Sequence, residues 1–264
     1  VMMPGGTVAI LDGGSGRDVL DYSSFSNPVS ANFSQVNATQ VGEVVNLEGV
    51  IGGTAVDTLT GNEGDNQFRI TGLNTGMLNG NSFSDFELLQ GLAGQDSFLF
   101  VNQGSVDSFD GNSGADTFVL DDRNLTENNN YSITRNAVTR DTTYSFSGIE
   151  TIGLLLGSGN DNVSVADNGK SYVLDGGAGI DTLNVLGGNF GGGTLLTSGT
   201  STISEVNFEL PLSNEEMATL GTVLATVGDQ IPGNNEVPDP DTMRSRIQPR
   251  GRMENGFSGR TALS

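Results

Sequence analysis

A nine-residue pattern, Gly-Gly-x-Gly-x-Asp-x-apolar-x, recurs along the first two thirds of the chain and limits the possible folds more than any other feature. Its copies begin at Gly13, Gly52, Gly61, Gly91, Gly111, Leu156 and Gly176. The fourth position is Gly in six of the seven copies, with Ala55 as the exception, and the sixth is Asp in six, with Asn66 as the exception. The eighth position is apolar in every copy. Agreement at three linked positions indicates a repeat architecture.

The spacing of the copies predicts a unit of 19–20 residues. The starts at 91 and 111 are 20 residues apart, as are those at 156 and 176, and the starts at 13, 52 and 91 are 39 apart. Segments rich in β-branched and aromatic residues, such as TFVL and TLNV, lie between the copies and predict short strands. Short strands with glycine at each corner predict an all-β fold, a β-solenoid (β-helix) over residues 1–210. The eighth-position residue should point inward and stack on its counterpart one coil away.

Two further landmarks keep the register of the repeat. An apolar residue followed by Glu recurs at Glu48, Glu87, Glu150 and Glu209, and an apolar residue followed by Asp directly precedes three copies, at Asp12, Asp110 and Asp175. An active site occurs once in a chain, whereas a structural corner occurs in every coil. The recurrence of these acids therefore predicts a structural role and no enzymatic activity. The longer step from 111 to 156 predicts an insertion, which we place in the polar segment 123–142.

The chain changes character after residue 210. Ser213 and Glu216 have the form of a capping box, and the apolar residues that follow recur at three- and four-residue spacing. This pattern predicts a helix over about 214–228, within a segment 211–231 that caps the end of the solenoid. Residues 232–264 contain four prolines and five of the eleven basic residues, which predicts an extended tail. Such a tail is either solvated or docked on an acidic body. The docking alternative predicts self-association into a filament or longer shaft through residues 211–264.

Composition and charge narrow the function classes. The formal net charge is −21, with 32 acidic and 11 basic side chains, so nucleic acid and anionic lipid are poor partners and divalent cations are suitable ones. The chain has no His and no Cys, which excludes catalysis and metal binding by those residues. No apolar run approaches the ~20 residues that cross a bilayer. Because the first copy begins almost at once after VMMPGG, we expect the chain to be a segment of a longer protein.

The nine-residue copies resemble the GGxGxDxUx repeat of RTX proteins. The longer alternation of Ile-Glu before GxGxDxV with Leu-Asp-Gly-Gly-x-Gly-x-Asp-Thr-Leu is similar to large bacterial adhesins of the filamentous-haemagglutinin type. The resemblance covers residues 10–210 and implies a right-handed parallel β-helical shaft that is secreted or displayed on the cell surface. In RTX repeats, carbonyl groups of the turn and the sixth-position carboxylate bind Ca²⁺. The resemblance thus implies calcium ligands at Asp18, Asp57, Asn66, Asp96, Asp116, Asp161 and Asp181.

The calcium prediction has an alternative in the same residues. RTX sites need tandem copies, and only the copies at Gly52 and Gly61 are tandem here. The sixth-position side chains would otherwise cap their turns by accepting backbone N–H bonds without a metal. Carboxylates stacked at ~4.8 Å would repel one another, which favours a bound cation or screening by solvent. The adjacent pairs of copies at 91/111 and 156/176 are the best places for calcium.

These patterns predict a structural or adhesive role, as a segment of a secreted adhesin or a subunit of a cell-surface filament. The alternative is a glycan-active β-helical enzyme of the lyase or epimerase type, or its calcium-binding module. One aromatic and basic grouping in the body suits either a surface glycan or a solvated face of a coil; its members are Tyr131, Tyr144, Arg135, Arg140 and Lys170.

Overall fold

A computed structural model describes residues 5–32, 37–166, 169–186, 195–198 and 202–204 of the chain. All regular secondary structure in these residues is β, in two sheets of 13 and 10 strands, here called sheet I and sheet II. Most neighbouring strands in both sheets are parallel. The predicted all-β class is therefore confirmed. No helix in this part of the chain is long and apolar enough to span a bilayer.

Sheet I holds thirteen of the strands. In chain order these are β1 (Val8–Asp12), β3 (Ser30–Asn32), β4 (Asn37–Ala38), β5 (Val41–Val45), β7 (Thr58–Thr60), β11 (Leu88–Gln90), β13 (Ser108–Asp110), β15 (Asn130–Ile133), β16 (Ala137–Thr139), β17 (Thr143–Ser147), β19 (Asn162–Ala166), β21 (Thr182–Leu186) and β23 (Thr202–Ser204). Their spatial order is β1-β5-β4-β3-β7-β11-β13-β17-β16-β15-β19-β21-β23.

Sheet II holds the other ten strands. In chain order these are β2 (Val19–Asp21), β6 (Gly49–Ile51), β8 (Gln67–Gly72), β9 (Thr75–Leu78), β10 (Asn81–Ser84), β12 (Ser97–Val101), β14 (Thr117–Asp121), β18 (Thr151–Leu155), β20 (Ser171–Asp175) and β22 (Leu195–Ser198). Their spatial order is β2-β6-β10-β9-β8-β12-β14-β18-β20-β22.

The chain alternates between the two sheets. It runs from β11 in sheet I to β12 in sheet II, then to β13 in sheet I and β14 in sheet II. In this stretch each strand pairs in parallel with the next strand of its own sheet, as β11 does with β13 and β12 with β14. Ser97 pairs with Thr117 and Thr151 with Ser171, each 20 residues further along the chain. The predicted 20-residue spacing is therefore confirmed at these steps.

Three antiparallel meanders interrupt this alternation, at β3–β4–β5, β8–β9–β10 and β15–β16–β17. They lengthen the step between parallel partners, so that Thr117 pairs with Thr151, 34 residues later. The third meander begins inside the segment 123–142 where an insertion is predicted. The insertion is larger than the sequence suggests, because it adds two antiparallel strands to sheet I.

The core lies between the two sheets, and the eighth-position residues of the repeat point into it. Leu20, Leu59, Phe68, Phe98, Phe118, Val163 and Leu183 are all 5% exposed or less. Phe68, Phe98 and Phe118 are register partners on successive strands of sheet II, and the rings of Phe68 and Phe98 stack with centroids 4.7 Å apart. Across the core, the ring centroid of Phe109 in sheet I lies 4.9 Å from that of Phe98. The predicted inward stacking is confirmed.

The glycine turns fall into two spatial groups, although the sequence makes them look alike. The turns that begin at Gly13, Gly61, Gly91 and Gly111 lead from sheet I into sheet II. The turns that begin at Gly52, Leu156 and Gly176 lead from sheet II into sheet I. Copies of the pattern are therefore equivalent in space only within one group.

The predicted capping segment 211–231 and the tail 232–264 lie outside the described residues.

Candidate functional site

The sixth-position residues lie immediately before the strands. Together with residues that directly precede other strands, they form two columns, one for each sheet. The sheet II column consists of Asp18, Glu48, Asn66, Asp96, Asp116, Glu150 and Lys170, each directly before a strand of sheet II. The sheet I column consists of Asp57, Glu87, Asp161 and Asp181, each directly before a strand of sheet I. Six of the seven predicted ligands are at most 2% exposed, and Asp18 is half-buried.

Hydrogen bonds connect successive members of the sheet II column. The backbone N–H of Asn66 donates to Oδ1 of Asp96 at 2.8 Å, and the N–H of Asp96 donates to Oδ1 of Asp116 at 2.7 Å. The N–H of Asp116 donates to Oε2 of Glu150 at 2.8 Å. Each of these carboxylates thus accepts the backbone N–H of the residue that directly precedes the neighbouring strand.

The sheet I column uses the same contact. The N–H of Asp57 donates to Oε2 of Glu87 at 2.8 Å, and the N–H of Asp161 donates to Oδ1 of Asp181 at 2.9 Å. Oδ1 of Asp161 in turn accepts the N–H of Asn129 at 2.8 Å. The carboxylates therefore cap backbone amides, which is the metal-free alternative for these residues, but the amide that they cap belongs to the adjacent strand.

The second polar atom of the sixth-position side chain has a partner in two turns. Oδ2 of Asp57 accepts the N–H of Gly53, and Oδ1 of Asn66 accepts the N–H of Asn62 at 2.9 Å. In both turns the donor is the second residue of the nine. Where an Asp directly precedes the turn, that Asp takes this amide instead, as Asp110 does from Asn112 at 2.9 Å.

Five buried carboxylate oxygens in the columns have no hydrogen-bond partner. They are Oδ2 of Asp18, Asp96, Asp116, Asp161 and Asp181. Three of these five follow a preceding Asp, at Asp12, Asp110 and Asp175, that holds the turn amide. A buried oxygen without a donor raises the free energy of the ionised carboxylate, because nothing replaces the water that it has lost.

Asn66 shows which side-chain group makes hydrogen bonds at the sixth position of the repeat. Its Nδ2 donates to the carbonyl oxygens of Asn62, Gly64 and Gly91 at 3.0, 2.7 and 3.1 Å, and to Oδ1 of Asp96 at 2.8 Å. The exception to the Asp pattern therefore places a hydrogen-bond donor among four oxygen acceptors.

Burial raises the pKa of several column carboxylates. It raises the pKa of Asp116 to about 6, and the neighbouring charges of Asp96, Glu150 and Asp110 add to the shift. Burial also raises the pKa of Asp96, although hydrogen bonds from Asn66 oppose that change. The pKa of Asp161 is raised for the same reason, with a contribution from Asp181. These groups hold a proton more readily than an ordinary aspartate does.

The predicted calcium ligands do not converge on a point. Calcium takes 6–8 oxygen ligands, but the described residues contain no group of three or more acidic side chains arranged to hold a metal. Five of the predicted ligands, Asp57, Asp96, Asp116, Asp161 and Asp181, already use one carboxylate oxygen on a backbone amide. The carboxyl group also fills the interior of its turn, since a Cβ on Gly111 would stand 2.5 Å from Oδ2 of Asp116. The described residues thus show no converging set of acidic ligands at these positions, and calcium binding stays a prediction.

The aromatic and basic grouping is mostly interior. Tyr131 and Tyr144 are at most 2% exposed, and Nη1 of Arg140 forms an ion pair with Oδ2 of Asp122 at 2.7 Å. The hydroxyl of Tyr131 donates to the same oxygen at 3.0 Å. The interpretation of these three residues as a glycan site or a solvated face is wrong, because they are buried around a carboxylate that the sequence analysis did not single out.

The other two members of that grouping lie elsewhere. Arg135 is exposed. Lys170 donates to the carbonyl oxygen of Ile149 and lies 5.7 Å from the centroid of the Phe146 ring. Burial lowers the pKa of Lys170, and the charge of Glu150 opposes that shift. Lys170 thus follows Glu150 in the sheet II column.

A shallow groove of about 420 Å³ crosses β11, β13 and β17 of sheet I. Its lining offers amide, hydroxyl and carboxylate groups, from Gln90, Ser108, Asp110, Asn136, Ser145 and Ser147. These groups suit a ligand that is rich in hydroxyls. The single carboxylate provides no acid and base pair of the kind that glycoside hydrolysis uses.

Comparisons with protein-family models, with curated proteins and with solved structures find no match to this chain. The resemblance to RTX repeats and to filamentous-haemagglutinin-type adhesins therefore rests on the quoted motifs alone.

Proposed function

We propose that the chain is a right-handed parallel β-solenoid that serves a structural and adhesive role outside the cell. The alternation of strands between two sheets and the 20-residue register between parallel partners support the solenoid. The right hand follows from the strong preference of parallel β crossovers for that handedness. The motifs support a segment of a secreted adhesin or a subunit of a cell-surface filament.

One observation carries the structural role: the conspicuous acidic side chains are repeated acceptors for backbone amides. Asp116 and Asp181 do the same work in different columns, and Glu87 and Glu150 do it after different meanders. Groups used in this way stabilise the stacking of strands. A reaction centre would instead need a unique set of groups in one place.

Adhesion needs a surface that recognises a partner, and the groove on sheet I is our candidate for a surface glycan. Ser108, Ser145 and Ser147 are register partners or neighbours on β13 and β17, so their hydroxyls lie side by side. Hydroxyl and amide groups in such a row can exchange hydrogen bonds with sugar hydroxyls. The proposed ligand is a neutral or weakly charged glycan, because the net charge of −21 disfavours strongly acidic ones.

Binding of the purified protein to a panel of neutral and acidic polysaccharides tests this proposal. Wild type should bind at least one neutral glycan, and Ser145→Tyr should weaken that binding at least tenfold by filling the groove. Ser132→Tyr is the matched control, since Ser132 is an exposed serine on β15 of the same sheet and lies outside the groove. Failure to bind any glycan contradicts the adhesive part. Turnover of a polysaccharide contradicts the structural role and favours the glycan-active enzyme.

Self-association through residues 211–264 is the second part of the proposal. Electron microscopy and sedimentation of the full chain should show filaments or longer shafts. A chain that lacks residues 232–264 should remain short, because the basic residues of that segment would no longer meet an acidic neighbour. Unchanged filaments without the segment contradict this route of assembly.

A further inference from the structure

The groove on sheet I runs across the strands, in the direction in which they stack. Its walls are two rows of side chains that face away from the core, and the members of each row are register partners on β11, β13 and β17. The first row consists of Leu88, Ser108 and Ser145, and the second of Gln90, Asp110 and Ser147. The residue between each pair points into the core, so the strand backbones form the floor. A ligand that fills the groove therefore crosses one strand after another.

Beyond β11 both rows continue onto β7, whereas beyond β17 the second row stops. Thr58 and Thr60 on β7 are half-buried register partners of the first member of each row. At the other end, β16 pairs with β17 only at and before Ser145, so the second row ends at Ser147. Asn136, which directly precedes β16, lines the groove there. A bound chain can thus extend onto β7, and its other end meets Asn136.

The spacing of the rows suits a single extended sugar chain. Neighbouring strands lie ~4.8 Å apart, which is close to the length of one sugar unit in an extended chain. The rows are two residues apart on each strand, or ~6.6 Å, so one chain fits between them. Chains of neutral sugars with β-1,4 linkages are extended, whereas α-1,4-linked chains of glucose coil. A straight groove across parallel strands therefore favours the β-1,4 linkage.

Leu88 gives the groove an apolar contact among polar groups. Its neighbours in the row are Thr58 and Ser108, and it is half-buried on the outward face. A sugar ring presents hydroxyl groups at its edge and C–H groups on its face, and burying that face against Leu88 stabilises a complex. The hydroxyl and amide groups of Ser108, Ser145 and Gln90 are then placed to exchange hydrogen bonds with the ring edge.

We propose that the groove binds one unbranched, β-1,4-linked chain of neutral sugars, which places one unit over each of β11, β13 and β17 and a fourth unit over β7. The inference rests on the proposed adhesive function, which assigns a neutral glycan to this groove, and it adds the linkage, the direction and the number of units. Asp110 is the one ionisable side chain of the two rows, and its carboxylate disfavours an acidic sugar at the centre of the groove. Because each unit meets one strand, affinity should grow with chain length up to four units.

Calorimetric titration of the full chain with oligosaccharides of two to six units tests the proposal. The probes are the β-1,4-linked series of glucose, mannose and xylose, and the α-1,4-linked glucose series is the control for linkage. In at least one β-1,4 series, affinity should rise at least tenfold from two to four units and then level off. The proposal is overturned if two units bind as tightly as four, or if the α-1,4 series binds as tightly as the β-1,4 series.

Thr58→Tyr tests the direction of the chain. The larger side chain would occupy the place of the fourth unit on β7, so the variant should bind four units no more tightly than wild type binds three. Its affinity for three units should be unchanged. Thr182→Tyr is the matched control and should bind as wild type does. Thr182 is also a half-buried threonine that directly follows a sixth-position Asp and begins a strand of sheet I, but β21 lies outside the groove.

The outcomes separate this inference from the adhesive function on which it rests. An unchanged affinity of Thr58→Tyr for four units, or an equal loss in Thr182→Tyr, contradicts the direction across the strands. If a neutral polysaccharide binds and Ser145→Tyr weakens it, but no β-1,4 series shows the dependence on length, the adhesive role stands and the inference is wrong. If no glycan binds, both are wrong. The length series on wild type decides the inference whether or not a variant folds.

Discussion

Asp116 donates its backbone N–H to the side chain of Glu150, which directly precedes the next strand of sheet II, as Asp96 donates to Asp116. A glutamate thus replaces an aspartate in the same column. Glu48, Glu87 and Glu150 each follow a meander, after β5, β10 and β17, and so stand where the chain crosses to the next strand without the nine-residue glycine pattern. At these three described positions the apolar-Glu pair therefore marks the return from a meander, and its fourth copy, at Glu209, lies outside the described residues.

Removing that acceptor should destabilise the chain. Glu150→Ala leaves the N–H of Asp116 without its partner, and we expect a loss of about 1–3 kcal/mol in the free energy of unfolding. Glu150→Gln keeps an oxygen in reach and should lose less. Glu63→Ala, at an exposed turn position, is the control and should stay within about 0.5 kcal/mol of wild type. Urea unfolding measures all three, and equal stabilities of Glu150→Ala and Glu63→Ala would contradict the role of Glu150.

Restoring the repeat consensus at its exception should weaken the protein. Asn66→Asp removes a donor that makes four hydrogen bonds and places a second carboxylate beside Oδ1 of Asp96. We expect a loss of about 3 kcal/mol at pH 7.5, and a smaller loss at pH 5, where a carboxyl proton restores a donor. Urea unfolding at the two pH values measures both losses. An unchanged or more stable variant at pH 7.5 would show that the site tolerates a bare carboxylate.

The first glycine of a turn is required by close contact. A Cβ on Gly91 would lie 2.6 Å from Cγ of Asp96, so Gly91→Ala should cost about 3 kcal/mol or more. Gly80 has a φ of +89° and nothing within 4 Å of its Cβ position, so Gly80→Ala isolates the cost of backbone strain. That cost should be about 1–2 kcal/mol. Thermal unfolding ranks the two variants, and a larger effect at Gly80 contradicts the contact explanation.

The repeat predicts the core and the turns but not which turns are neighbours. Apolar residues at the eighth position stack because the spacing that makes them recur in sequence also places them in register, as with Phe68 and Phe98. The motif does not show whether a turn leads from sheet I into sheet II or from sheet II into sheet I, because the same nine-residue pattern occurs at both kinds of turn. The assignment depends on the meanders, which shift later copies relative to earlier ones.

The buried polar cluster around Asp122 could not be predicted from the repeat. Its members come from the segment after β14, from β15 and from the connection between β16 and β17. Antiparallel strands bring them together, and Asp122, Tyr131 and Arg140 all lie outside the copies of the nine-residue pattern. The sequence shows only two tyrosines and an arginine in a polar segment, and this composition favours an exposed position. Burial reverses that interpretation.

Arg140 should be needed for the stability of this cluster. Burial raises the pKa of Asp122 and the charge of Arg140 opposes that shift, so removing Arg140 should raise the pKa of this carboxyl group further. Arg140→Met leaves a buried acid with only the Tyr131 hydroxyl, and we expect a loss of about 3–5 kcal/mol at pH 7.5. Arg135→Met, an exposed arginine in the same meander, should stay within about 0.5 kcal/mol of wild type. Urea unfolding of both variants measures these losses.

Because a protonated Asp122 needs no cation, the loss of stability in Arg140→Met should be smaller at pH 5. A loss that is equal at both pH values would mean that Arg140 contributes by packing alone.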